Sequence, residues 1–407
     1  MRGFGTRERA PVMLTVPETI PVKRRVLVLG AGLSAAMMAR RLVEAGLEVV
    51  LVRRGQAAEE DYLEEHPGVE LLSGARLVAL EGDFGDFKAF VETEVGPSVR
   101  RLEREIGAVV VAVGLRREQP RQLPTAMRLA DFPPLAGAGE APRRVCFLMD
   151  LEQSTPLAEF QLALEAALNA AREGASVYFL CREVKVAGEG LERLYTAARE
   201  AGVLFIKYQA PPEVAPVGEA ASLQVMDESP GVVSHLSRLR LTADAIVMPD
   251  VLLPAVDNAA LADLLRTDLD GEGYFQPANV RLALGRTNRR GVFVVGGCRA
   301  PCTVTEAYQE AAVAAEEIAS LLEQGEARVD WPVAVVDPEK CAYCLTCNRI
   351  CPHRAAGMNP EDECAIVYAS ACYGCGLCVA ECPSAAIAME KYTDSDLVAS
   401  FKTLGPS

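Results

Sequence analysis

A chain of 407 residues, half of them apolar, has room for two or three domains, each with its own core. Its net charge of −15 argues against nucleic acid or an anionic membrane surface as the main partner. No uninterrupted apolar run reaches the about 20 residues that span a bilayer, so direct membrane insertion is not expected. Thirteen cysteines, most of them in two short runs, point to a reducing compartment where thiols stay free, and a cytoplasmic chain is expected.

Residues 1–24 lack an apolar leader and read as an arm. Val26-Leu27-Val28-Leu29 then reads as a buried strand, followed by the turn Gly30-Ala31-Gly32-Leu33-Ser34-Ala35, an amphipathic stretch to Ala45 and a second strand, Val49 to Val52. This is a βαβ opening with a G-x-G-x-x-A turn. Gly30 makes the tight turn, Gly32 lets a diphosphate approach the backbone, and Ala35 keeps the helix close to the sheet. The second strand closes on Arg53 and Arg54, where a ribose-binding site wants an acidic acceptor. A cation there either meets a 2′-phosphate, as in NADP sites, or marks a site that has lost its ligand.

Residues 67–98 alternate as a small β-meander, and Gly107 to Gly114 is a buried strand that ends on glycine. Residues 25–142 and 216–325 are assigned to one discontinuous dinucleotide (FAD)-binding domain. Residues 143–215 form an inserted α/β module: a strand from Arg144, a helix to about Glu173, the strand Ser176 to Cys181, a helix to Ala201 and the strand Val203 to Lys207. No glycine-rich turn follows its first strand, so no pyridine nucleotide is expected there. The strand Gly291 to Gly297 leads to Cys298, Pro301 and Cys302, then to the capping box Thr303-x-x-Glu306 and an Ala/Glu-rich helix. Gly114, Gly297, Cys298, Pro301, Cys302 and Thr303 are the residues expected beside a bound cofactor. Cys298 and Cys302 are either a reactive dithiol or small core residues; Cys146, Cys181 and Cys364 read as core.

Residues 326–392 carry the strongest signal, with 393–407 a tail. CAYCLTCNRICP and CYGCGLCVAECP are two copies of C-x2-C-x2-C-x3-C-P. At this spacing three thiolates hold one cubane and the fourth ligates the other cluster. Cys341, Cys344, Cys347 and Cys382 are therefore expected to hold one [4Fe-4S] cluster, and Cys372, Cys375, Cys378 and Cys351 a second. A pair of zinc knuckles would need paired ligands in two steps instead. His353, beside Cys351-Pro352, is expected to tune or solvate a cluster; His66 and His235 suggest no catalytic group.

Together these stretches resemble the A subunit of the heterodisulfide reductase family, including its counterpart in the quinone-interacting oxidoreductase complex of sulfate reducers. The likeness lies in the glycine turn, in Leu180–Tyr208, in Gly273-Tyr274-Phe275, in Val292–Ala314 and in the double cysteine run. It implies a thioredoxin-reductase-like FAD/NAD(P)-binding Rossmann fold with an inserted α/β module and a C-terminal α+β ferredoxin domain of the bacterial two-cluster type. It implies FAD, relay of electrons to other subunits of such a complex, and final substrate chemistry in a partner. Three places depart from the family: Arg53, the segment Gln56–Glu65 in place of a Gly-rich stretch with cysteines, and Pro301-Cys302-Thr303 in place of Pro-Lys-Asp. Two other functions stay open, a flavin-free scaffold and iron–sulfur wire, and an NADP(H)-dependent flavin reductase subunit.

Overall fold

The computed structural model describes residues 16–54, 68–95, 98–133, 143–229, 238–279, 281, 285–390, 392 and 394–403. The segment Gln56–Glu65, His66 and His235 lie outside them, as do the first residues of the arm and the last of the tail. By internal packing the chain forms two compact units.

The first unit opens with β1 (Arg25–Leu29), α1 (Leu33–Glu44) and β2 (Glu48–Arg53), then β3 (Val69–Ser73) and, after an antiparallel meander, β4 (Ala108–Val111). All four strands are parallel, with Leu27 opposite both Val50 and Val109. Their uninterrupted Val/Leu runs follow from burial on both faces. Val26, Val28, Val49 and Leu51 pack with Met38 and Leu42 of α1. Leu27, Leu29, Val50 and Val52 face the other way, onto Phe87, Val91 and Ile106 of the meander Ala75–Glu81, Phe87–Val95, Ser98–Ile106.

The second unit comprises Leu115–Ala255 with Ala300–Glu306. It contains β5 (Arg144–Leu148), α2 (Leu157–Arg172), β6 (Ser176–Cys181), β7 (Leu204–Lys207) and β8 (Ala245–Met248). The parallel sheet runs in the order Ala126–Arg128, β8, β5, β6, β7. Phe147, Phe160 and Phe179 fill one face, and Tyr208 closes the other by donating its hydroxyl to the Met149 carbonyl. The unit is wider than the 143–215 expected of the insertion. β8 hydrogen-bonds to β5, Ala126–Arg128 to β8, and the meander Glu213–Val217, Ala220–Met226, Arg238–Ala243 packs its Leu223 and Ala243 onto Leu148 and Ile246. Both flanking stretches assigned to the dinucleotide domain are thus held by this sheet.

The chain returns to the first unit with β9 (Val292–Val294) on β4, completing the order β3-β2-β1-β4-β9. This is the strand order of a Rossmann half. In α3 (Val304–Leu322), Ala311, Ala314, Ala315 and Ile318 join the α1 side of the core. Its capping box is formed: Thr303 N donates to Glu306 Oε2 at 2.7 Å, and Glu306 N to Thr303 Oγ1 at 3.1 Å.

The C-terminal region belongs to the first unit and is built twice over. Ala334–Val336 pairs with Ile387–Met389, Ala356–Asn359 pairs with Cys364–Val367, and the short helices Thr346–Ile350 and Leu377–Ala380 each carry the third cysteine of a triad, Cys347 and Cys378. The backbone repeats as well. Positive φ occurs at Tyr343 and Leu345 in the first run and at Gly374 and Gly376 in the second, then at Arg354 and Ala385 three residues after each fourth cysteine. The second run uses glycine where this conformation is free; the first holds it with side chains, at a cost of about 1 kcal/mol each.

Candidate metal centre and dinucleotide site

The two cysteine runs enclose two cavities. One, of about 310 Å³, is lined by Cys341, Cys344 and Cys347 of the first run and Cys382 of the second, with Met358, Ala365 and Ile387 as apolar walls. The other, of about 350 Å³, is lined by Cys372, Cys375 and Cys378 with Cys351, and by Val367 and Met389. Each cavity takes three thiols from one run and the fourth from the other. Among the described residues no three His, Cys, Asp or Glu converge tightly enough for a single metal ion; the thiols stand around a space instead. That donor set, sulfur only and spread around an apolar hollow, fits a cubane.

Backbone amides point at the sulfurs. Ala355 N donates to Cys351 Sγ and Ala386 N to Cys382 Sγ, both at 3.3 Å, and Ala365 N to Cys341 Sγ at 3.4 Å. Such bonds favour charge on sulfur and are one lever on a cluster's potential. The Thr346 hydroxyl, 3.4 Å from Cys344 Sγ, pulls that thiol below the ordinary range. Burial pushes Cys378 up to about 11, so binding a metal there would release a proton. Cys344 and Cys375 are exposed. His353 lines the second cavity, with its Nδ1 2.6 Å from the Asn288 carbonyl and its ring stacked on Tyr373 at 4.4 Å. Cys146, Cys181 and Cys364 are buried, and the first two are pushed up to about 12 by burial.

At the glycine turn, Gly30 has φ +152° and a Cβ there would lie 2.2 Å from the Ala112 carbonyl oxygen. Gly32 is extended, and a Cβ there would meet nothing within 4 Å. Ala35 is buried under the sheet, and no side chain caps α1. An open, uncapped helix start beside a glycine suits a diphosphate. The ribose end does not fit. Arg53 is 6% exposed and donates from Nε to Ser73 Oγ at 2.9 Å, and Arg54 pairs with Asp257. Neither cation can accept from a ribose hydroxyl.

Gly114 has open space where a Cβ would stand, and Gly297 sits in the single 3-10 turn Gly296–Cys298 behind β9. Its neighbour Gly296, which no motif marks, is the constrained one: φ is +68° and a Cβ would lie 2.1 Å from Ser34 Oγ of α1. Its N–H donates to Glu310 Oε2 at 2.8 Å, and Glu310 also pairs with Arg299. Cys298 lies in the apolar core, fully buried, its thiol 3.1 Å from the Val111 carbonyl. The structure therefore places this sulfur with packing residues. Cys302 is partly buried, and Pro301, Cys302 and Thr303 fall in the stretch that belongs to the second unit.

In the second unit, the strand order reverses between β5 and β8, where a doubly wound sheet offers its crevice. A cavity of about 280 Å³ lies there, lined by Asp150, Thr155, Met248 and Asp250 among others. The loop after β5 closes on its own carboxylate. Asp150, at φ +58° and buried, accepts from Thr155 N at 2.7 Å, Arg182 N at 3.0 Å and Lys185 Nζ at 2.9 Å. An anion of the chain already uses the donors that a phosphate would need. Burial opposes its charge, yet the bonds from Thr155 and Lys185 hold the carboxyl below the ordinary range. Lys185→Met should cost about 3 kcal/mol at neutral pH, as one partner of a buried pair is lost. A depressed carboxyl contributes fully above its unfolded value of about 3.9 and less as pH falls through its folded value. The deficit of the variant, measured by urea unfolding, should thus shrink on acidification; a deficit constant with pH would contradict the pairing.

Residues 334–393 match the family model of a 4Fe-4S dicluster domain. The chain is similar to the iron-sulfur A subunit of CoB–CoM heterodisulfide reductase from Methanocaldococcus jannaschii, 29% identical over 193 residues, which are 46% of this chain and 28% of that protein. It is also similar to the A subunit of the H(2)/formate:CoB-CoM heterodisulfide,ferredoxin reductase of Methanococcus maripaludis, 28% identical over 55% of this chain and 35% of that protein. The chain thus spans about a third of the length of these curated relatives. Among solved structures, T. acidophilum thioredoxin reductase gives a TM-score of 0.46 at 14% identity, over 73% of this chain and 99% of that one. Lactococcus lactis thioredoxin reductase gives 0.45 at 19% identity, over 72% and 97%. Among the described residues no helix is long and apolar enough to cross a membrane.

Proposed function

We propose that this chain, which is like the A subunits of heterodisulfide reductases, is an electron-transfer component of a multisubunit redox complex. The observation that carries the reading is the exchange of fourth cysteines: Cys382 completes the cavity of the first triad and Cys351 that of the second. Bound [4Fe-4S] clusters supply one-electron carriers at two adjoining points of one small domain. The residues of the chain then do three things. Eight thiolates hold the clusters, amides of Ala355, Ala365 and Ala386 stabilise charge on sulfur, and the apolar walls Met358, Val367 and Met389 keep water away. The exposed edges at Cys344 and Cys375, with the exposed Tyr343 and Leu377 beside them, suit exchange with partner subunits.

FAD, held by its diphosphate over Gly32 and the start of α1, would supply the interchange between two-electron and one-electron transfer. A second reading, an iron–sulfur wire on a flavin-free scaffold, is favoured by Arg53, which offers the adenosine ribose no acceptor. One preparation tests both. Anaerobically purified chain should hold about eight irons, and four or fewer after reconstitution would sink the two-cluster assignment. Yellow flavin released on acid precipitation selects the first reading, and its absence the second.

A further inference from the structure

Two consecutive arginines on the turn before β9 reach in opposite directions. Arg289 is buried and donates to the carbonyls of Leu265 at 2.9 Å and Gly82 at 2.8 Å, which anchors the turn to the nucleotide-binding half. Arg290 reaches into the cluster region. Its Nη2 donates to the Cys372 carbonyl at 2.8 Å, and its guanidinium lies 4.0 Å from the ring centre of Trp331 and 4.7 Å from that of Tyr373. Tyr373 stacks on His353 and donates its hydroxyl to the Thr287 carbonyl at 2.8 Å, so the sandwich is fixed from both sides.

Arg290 makes no ion pair among the described residues, and the carboxylate whose charge bears on it, Asp330, does so without a contact. The Nε of Arg290 is sealed from solvent without an acceptor. A cation removed from water without an anion is costly, and two aromatic faces offset only part of that cost. The missing anion is next door: the residue whose carbonyl it grips, Cys372, lines the second cavity with three more thiols. Arg349, whose charge acts on Cys344 of the first cavity, is by contrast exposed and screened by water.

We infer that Arg290 is the built-in counter-ion of the second cluster site and raises the potential there relative to the first, which sets the direction of electron flow through the domain. A nearby fixed positive charge favours the reduced, more negative state of a bound cluster. The inference rests on the reading of the two cavities as cluster sites, and its test separates the two.

Arg290→Gln and Arg290→Lys, similar in reach and different by one charge, are compared in the loaded protein by EPR-monitored redox titration. The affected cluster is the one lost in Cys375→Ala. In Arg290→Gln its reduced-to-oxidised ratio at fixed potential should fall about tenfold, a midpoint shift of ~59 mV for one electron, while Arg290→Lys and the other cluster stay within about twofold of wild type. If Gln loads half the iron of wild type and Lys loads all of it, the charge is needed to hold the cluster and the inference stands. Equal potentials in the two variants, or equal loss of iron from both, would reduce Arg290 to a packing residue and overturn it. Emission from Trp331, the sole tryptophan, should shift in the metal-free Gln variant; unchanged emission would refute the sandwich itself. A wild-type chain that cannot load two clusters would instead refute the reading of the cavities, and the inference with it.

Discussion

Replacing Cys351 by alanine should remove the same EPR signal of the reduced protein as Cys375→Ala, and spare the one lost in Cys344→Ala. Along the chain Cys351 lies beside the first triad, next in line after Cys347. In space it lines the second cavity with Cys372, Cys375 and Cys378, while Cys382 returns to the first. The short helix Thr346–Ile350 carries the chain across, and Ala355 N then holds the sulfur in place. Without its fourth thiolate the second cubane loses the ligand to one iron, so its EPR signal should disappear or change form as that iron is lost or takes a solvent ligand, while the first cluster is unaffected. The variant should stay folded, because Val333, Ala334, Ala356 and Ile387 are the buried centre of this core and Cys351 is only a partly buried neighbour packed against it. Should Cys351→Ala match Cys344→Ala instead, the runs are separate four-cysteine sites and the exchange is wrong.

What is legible in the amino-acid sequence is whatever is encoded locally. Thiol spacing specifies a ligand set within one loop, and a strand buried on both faces announces itself by an unbroken Val/Leu run, as at Val26 to Leu29. The glycine turn is legible because Gly30 faces the Ala112 carbonyl and no side chain fits there. Non-local pairing is not. Ala245–Met248 is as apolar as Val292–Val294, and nothing within either says which sheet it joins; only pairing with Val145–Phe147 puts the former in the second unit. For the same reason Gly297 stands out in the sequence over Gly296, whose constraint comes from Ser34 far along the chain.

Charged residues hide the most. Arg53, by its place at a strand end, reads either as a partner for a 2′-phosphate or as the mark of a lost site, and its side chain is buried and turned to Ser73. Arg289 and Arg290 look like ordinary surface residues of a turn, and both are engaged within the fold. Asp150 carries no motif, although its loop is held closed by it. A charge reveals its role through partners, and partners lie at large sequence separation.

The flavin question turns on two glycines that respond oppositely to a side chain. Gly32→Val should fold as wild type does and lose its flavin; Gly30→Ala should fail to fold properly at all. At Gly30 the φ of +152° belongs to a region essentially reserved for glycine, and the added Cβ would meet the Ala112 carbonyl at 2.2 Å. Strain and clash together should cost about 3 kcal/mol or more. At Gly32 the backbone is extended (φ −97°, ψ −175°), which valine favours, and its Cβ would enter open space. Thermal stability of the flavin-free protein should therefore change by about 0.5 kcal/mol or less. That same open space is where a diphosphate must come to reach the start of α1, so flavin recovered by acid precipitation should fall at least about tenfold, the equivalent of ~1.4 kcal/mol of binding. Full flavin content in Gly32→Val would place the cofactor elsewhere in the chain. No flavin in wild type, with both clusters present, would leave the turn as scaffold and the protein as a wire.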